Sequence, residues 1–256
     1  MVRLPSLRPG RALWGRLMTV AALLLSCCEV FAQKQSETRD QVWLGYFNQT
    51  RLSDRSGIWV DLQFRTNEFM ERASSDIARV GYTYYVFDHM RLTAGYGRIT
   101  HFALHDPAPD IPEHRTWQQV QWFDRNPRTS LVQYLRVEQR FLRRTEGDRL
   151  IDDYRFSWRF RYNFGLSIPL KGSEIVSGTP FLFLNDEIHI NAGKEIVNNY
   201  FDQNRLFAGI GYQVTSNINA HLGYLYVFQQ LPAGNQYVNT HAVRLFLFHN
   251  LDLRGN

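Results

Sequence analysis

Cysteine is confined to Cys27 and Cys28, both within the first 32 residues of the 256-residue chain. If the chain is cut after Ala32, the remainder holds no thiol, which excludes disulfides, thiol chemistry and Cys-based zinc sites from it. Lysine is scarce as well: beyond residue 32 only Lys34, Lys171 and Lys194 occur, against 22 arginines. No stretch after residue 33 is apolar for about 18 residues, so no helix is expected to span a membrane. Gly-x-Ser-x-Gly, His-Glu-x-x-His, phosphate-binding glycine loops and calcium loops are all missing. No catalytic residue, metal or cofactor is therefore expected. Linker-like and low-complexity segments are lacking too, which points to one domain.

The N-terminus is of a different kind. Arg3, Arg8, Arg11 and Arg16 precede a short apolar run from Leu17 to Leu25, and Val30-Phe31-Ala32 follows. A basic stretch, a compact apolar core and a small residue at the cut describe a secretory signal peptide over residues 1–32. The run is too short for a transmembrane helix. Leu24-Leu25-Ser26-Cys27 offers a second reading, in which Cys27 is the lipidated first residue of a lipoprotein. Removing four arginines and Glu29 lowers the net charge from +5 to +2. The basic balance thus belongs partly to the signal, and no nucleic-acid partner is expected.

Residues 33–256 read as alternation with period two. Tyr154, Phe156, Trp158, Phe160, Tyr162, Phe164, Leu166 and Ile168 share one strand face. Arg155, Ser157, Arg159, Arg161, Asn163 and Gly165 share the other. A helix would scatter both sets around its cylinder. Further strands are expected near 42–51, 58–65, 78–86, 90–100, 114–123, 131–141, 182–190, 205–213, 218–228 and 239–250. Several reach the roughly 9–11 residues that a membrane-crossing strand needs. Connections near 88, 124–128 and 215–217 are short, whereas 101–113, 142–153, 191–203 and 229–238 are expected to be long loops. Short turns at one rim and long loops at the other are typical of outer-membrane barrels. These segments number eleven, but bacterial single-chain barrels use even counts. The expected fold is therefore all-β: a closed antiparallel up-and-down transmembrane β-barrel of 10–12 strands, with 12 favoured.

If the apolar face meets lipid, the polar face lines the lumen. Arg136, Glu138, Arg140, Arg155, Arg159, Arg161, Asn185, Glu187, Gln203, Arg205 and Arg244 are the lumen candidates. Arg65, Arg79 and Arg115 are expected on the same side, with Asp61 as a further acidic partner. Arginine suits such a space because its planar fork pairs with carboxylate and phosphate in two-pronged fashion. Two roles follow. One is a small channel or binding barrel for anionic solutes. The other is a structural or assembly barrel with a plugged lumen, braced by Arg–carboxylate pairs. A lipid-acting enzyme is a third class, but no nucleophile–base pair is singled out. His189 and His221 are expected as hydrogen-bonded lumen residues. His101, His105 and His114 bracket an acidic segment with Asp106, Asp110 and Glu113, expected to be an outer loop of mixed charge.

Several short motifs carry a resemblance. Arg136-Val137-Glu138-Gln139-Arg140-Phe141, Arg159-Phe160-Arg161-Tyr162, Asn185-Asp186-Glu187 and Phe201-Asp202-Gln203-Asn204-Arg205 stand between Trp43-Leu44-Gly45-Tyr46 and Gly223-Tyr224. With them the chain resembles, over about 40–256, a bacterial family catalogued as a domain of unknown function, number 2490. The resemblance implies an outer-membrane β-barrel with no assigned activity. The expected partners are membrane lipid, small anionic solutes and, during insertion, the barrel-assembly machinery.

Overall fold

A computed structural model describes residues 34–126 and 128–255. The expected signal peptide and the alternative lipid site at Cys27 lie outside the described residues. Eleven strands follow one another in chain order. They are β1 (Gln35–Arg51), β2 (Ser56–Asn67), β3 (Arg72–Phe87), β4 (Met90–His101), β5 (Ile111–Asn126), β6 (Thr129–Glu146), β7 (Arg149–Pro169), β8 (Pro180–Ala192), β9 (Phe201–Gln213), β10 (Ile218–Gln230) and β11 (Gln236–Asp252). Each pairs antiparallel with the next, and β1 pairs with β11 to close the barrel. The favoured count of twelve is thus corrected to eleven.

The odd count dictates the closure. In an up-and-down meander of eleven strands the first and last run in the same direction. Closure must then be parallel, and β1 lies parallel to β11 over its whole length, from Gln35 opposite Gln236 to Arg51 opposite Asp252. Consequently β1 begins and β11 ends at opposite rims. Parallel pairing is slightly weaker per residue than antiparallel. Here side chains reinforce it. Tyr46 and His249 hydrogen-bond at 3.0 Å, and Phe47 packs its ring 4.9 Å from both Phe246 and Phe248. Gly45 admits the Phe246 ring, since a methyl group there would fall 2.7 Å from it. Past the end of β11, Leu253 N donates to Arg51 O at 2.8 Å. Arg254 pairs with Asp252 at 2.6 Å and with Asp54 in the β1–β2 turn at 3.3 Å.

Which way the faces point is settled by burial. On β7, Trp158, Phe160, Tyr162 and Phe164 are exposed, and Ser157, Arg159, Arg161 and Asn163 are buried. On β3, Tyr82 is 58% exposed while Arg79 and Thr83 beside it are buried. Charge inside and apolar bulk outside invert the pattern of a water-soluble domain. An exposed apolar belt around a closed wall suits lipid, which cannot satisfy a free sheet edge. Strand lengths of 12–21 residues exceed the requirement for a tilted spanning strand, about 9–11 residues. Polar groups on the outer wall satisfy one another across strands, as Tyr224 with His241 at 2.5 Å and Tyr162 with Gln133 at 2.6 Å.

All four connections expected to be long are shorter, the expected loop 191–203 reducing to 193–200 and 229–238 to 231–235. Residues 142–153 are no loop: β6 and β7 continue as a hairpin to a tight turn at Gly147-Asp148. Gly147 has φ +56°, the left-handed conformation in which glycine has no side chain to clash. Arg144 ties the hairpin to the β8–β9 loop through Glu195 at 2.6 Å. The expected loop 101–113 shrinks to nine residues, because β5 begins at Ile111 and takes Glu113 and His114 into the wall.

Candidate functional site

The inward face holds an unusual density of charge. Arg79, Arg115, Arg136, Arg159, Arg161 and Arg244 are buried there, as are Asp61, Glu113, Glu138, Glu187 and Asp202. Arg65, Arg91, Arg140 and Arg205 share the inward alternation and are half-buried. That is two guanidinium groups for each carboxylate.

One network runs through five consecutive strands. From β6, Arg140 grips Glu113 of β5 with two hydrogen bonds, of 2.6 and 3.0 Å. Arg115 also donates to Glu113, at 2.7 Å, and pairs with Glu138 of β6 at 3.1 Å. Glu138 accepts from Arg161 of β7 at 2.8 Å. Arg161 then reaches Glu187 of β8 at 2.5 Å. Glu187 also receives Tyr134 from β6, His189 at 2.9 Å and Arg205 of β9 at 3.4 Å. Asp202 of β9 closes the chain, pairing with Arg159 at 2.8 Å. A smaller group sits on β2 and β3. There Asp61 accepts from Arg79 at 3.2 Å, Trp59 at 3.1 Å and Gln63 at 3.1 Å. Asp61, Glu113 and Glu138 have no accessible surface. In so dry a place a charge is tolerable only when paired and hydrogen-bonded.

The other half of the lumen is apolar. Trp43, Phe181, Phe183, Phe207, Leu225, Val227, Ala242 and Phe246 form one buried cluster from β8 to β11 and β1. Trp117 of β5 is completely buried, and its ring stands edge-on to Trp59 of β2 at 6.2 Å. A methyl group at Gly95 would lie 2.8 Å from Trp117, so bare glycine backbone makes the floor on which the indole rests.

Of the eleven lumen candidates, Arg136, Glu138, Arg140, Arg159, Arg161, Glu187, Gln203 and Arg205 belong to this inner lining. Arg136 donates to Gln119 at 2.8 Å and stands 3.8 Å from Glu138. Gln203 accepts from Arg205 at 3.1 Å. Asn185 donates to Asn163 at 2.8 Å, beside the network. Arg155 lies on the same face, where β7 nears the projecting part of the hairpin, and forms no ion pair or hydrogen bond among the described residues. Arg244 is buried and also lacks such a partner; it stacks on Phe207 at 3.4 Å. His221 departs from expectation. It is packed among Phe181, Phe183 and Phe248, and its Nδ1 has no hydrogen-bond partner.

Sequence reasoning missed Glu113 and Asp202. Glu113 falls in a segment expected to be a loop, which is strand. Asp202 turns inward at a bulge, where His189 pairs with Gln203 and Ile190 with Phe201, leaving Asp202 as the extra residue. No alternation rule finds such a residue. Ser75 faces His101 across β3 and β4, and His101 pairs with Glu113 at 2.9 Å, but no hydrogen bond joins Ser75 to His101. Among the described residues no group of His, Cys, Asp and Glu is arranged to hold a metal.

No curated protein and no solved structure matches the chain. Residues 40–238 match the family model described as protein of unknown function, DUF2490, and the chain belongs to that family as an outer-membrane β-barrel.

Proposed function

We propose that this barrel does not conduct, and that its lumen serves as an ionic core that holds the wall together. The observation that carries this reading is the complete burial of Asp61, Glu113, Glu138, His189 and Trp117 inside the wall. A water-filled pathway would leave surface on the charged groups lining it. Barrels of about eight strands are just wide enough to be filled by side chains. Eleven strands enclose more, and the long side chains of arginine, tryptophan and phenylalanine suit that width. Arginine suits it doubly, because one guanidinium can bridge carboxylates on two strands, as Arg161 does.

Catalysis has no part in this reading. His189, with Glu187 at 2.9 Å and Asp202 at 3.8 Å, has no surface that a substrate can reach. The partners are the lipid around the apolar belt and, during insertion, the barrel-assembly machinery. An open anion pathway is the competing reading, favoured by the surplus of inward arginine. Proteoliposome swelling separates the two. Liposomes carrying the folded protein are expected to swell no faster than empty ones in small sugars, amino acids and organic acids. Swelling that follows solute size or favours anions would overturn the proposal.

A further inference from the structure

Two of the inward cations poorly matched by the network flank Trp43. Arg244 on β11 is 7% exposed, its Nε is buried without an acceptor, and it makes no hydrogen bond or ion pair among the described residues. Its guanidinium lies 3.4 Å from the Phe207 ring and 4.6 Å from Phe246. Ring faces attract a cation but accept no directed hydrogen bonds from its edge. Arg65 on β2 is the second. It donates to Gln63 at 2.9 Å, its Nε is also buried without an acceptor, and no carboxylate among the described residues lies within ion-pair distance. A buried donor left unmade is costly, and a native structure that keeps one calls for an explanation.

The two are neighbours of one residue. Strand register sets Trp43 of β1 opposite Arg244 on one side and opposite Arg65 on the other. Arg205 reaches the same place from β9, across the lumen. Its guanidinium carbon lies 5.0 Å from the Trp43 ring centroid, and that of Arg65 lies 3.6 Å from it. Two guanidinium groups, from β2 and β9, thus lie over one indole, and Arg244 of β11 stands beside it in register with its own guanidinium over Phe207 and Phe246. The carboxylate paired with any of them is Glu187, 3.4 Å from Arg205, which Arg161 and His189 already share.

We propose that Arg65, Arg205 and Arg244 form, around Trp43, a binding site for one small oxyanion: phosphate, sulfate or carboxylate. Guanidinium edges offer paired N–H donors at the spacing of two such oxygens. Arg65 and Arg205 remain partly exposed, so the site is not sealed. Its position on the inner side of the sheet selects a free anion over a lipid headgroup, which would stay on the outer wall. A dead-end site requires no pathway through the barrel. The inference goes beyond the non-conducting reading, and the two fail separately: a barrel that conducts can still bind phosphate, and a silent one can lack the site.

The test is calorimetric titration of the protein, folded in detergent micelles, with inorganic phosphate in sodium chloride at constant ionic strength. Saturable binding is expected. Arg65→Gln and Arg244→Gln should each weaken it by about tenfold or more. Arg98→Gln, on the outer wall, should leave it unchanged. A second measurement needs no variant: phosphate should raise the wild-type unfolding midpoint above that in chloride of equal ionic strength. Heat with no saturation, or an affinity that neither lumen substitution alters, overturns the site. So does an unfolding midpoint indifferent to phosphate.

Discussion

At the scale of single residues, the choice of arginine over lysine explains how the interior holds together. A lysine ammonium is a compact point charge, whereas a guanidinium presents donors along two edges. Arg140 sets one edge, Nε and Nη2, on the two oxygens of Glu113, and Arg161 divides its donors between Glu138 and Glu187. Glu113, Glu138 and Glu187 are in turn each held by several cations, so the loss of one of them exposes several unmet charges. Glu138→Gln removes the charge facing Arg115, Arg161 and Arg136, and should cost about 3–5 kcal/mol in urea unfolding, as breaking a buried pair does. Arg155→Gln, outside the network, should stay within about 0.5 kcal/mol. Equal losses for the two substitutions would mean that the ionic network contributes nothing particular. Much of this lining is visible in the sequence, because Arg136, Glu138, Arg140, Arg159 and Arg161 alternate with aromatic and aliphatic residues, Gln139 excepted. Asp202 is not visible, since a bulge breaks the rule that would have found it. The apolar half of the lumen escapes for another reason. On β10, Leu225 and Val227 face inward while Tyr224 and Tyr226 face outward, and alternation between two apolar faces carries no signal.

At the scale of elements, each strand announces itself, and the difficulty lies in counting them. All eleven segments found by alternation are strands, yet the even-number expectation pulls the count to twelve. Physical chemistry does not require an even number. An even count brings the closing strands together antiparallel, and an odd count brings them together parallel; both satisfy every backbone group. The seam is therefore the element whose geometry says most. It sets Leu44 of β1 opposite Leu245 of β11, both on the outer wall. Neighbouring strands lie about 4.8 Å apart, within the Cα separation that a disulfide spans. With no cysteine among the described residues, a Leu44→Cys/Leu245→Cys double variant should oxidise to an internal crosslink in the folded protein. A Leu44→Cys/Asn239→Cys pair, on the same outer face but displaced by six residues along β11, should not. Crosslinking of the displaced pair alone would contradict the parallel register. The hairpin of β6 and β7 looks like a loop in the sequence because Arg143, Arg144, Glu146, Asp148, Arg149, Asp152 and Asp153 put charge on both faces. Where a strand leaves the membrane no apolar face is needed, and hydropathy ceases to report on pairing.

At the scale of the whole molecule, the barrel is a water-soluble protein turned inside out, with its charges at the centre and its aromatic side chains in the solvent that suits them. Its buried lumen charges and its surplus of inward arginine pull toward different functions. Burial favours a sealed wall, and the surplus charge is met by an anion that enters and stops. Fold and address are legible from alternation, an export signal and a family resemblance. Function is not, because the same arginine ladder lines a pathway or fills one depending on how side chains from opposite walls meet, and no linear pattern records distances across a lumen. Single-channel recording in planar bilayers measures that distance in effect. The account predicts a silent barrel: protein shown to be folded and inserted gives no current steps at either voltage polarity, in chloride or in larger organic anions. Discrete, reproducible openings, above all openings that favour anions, would contradict it.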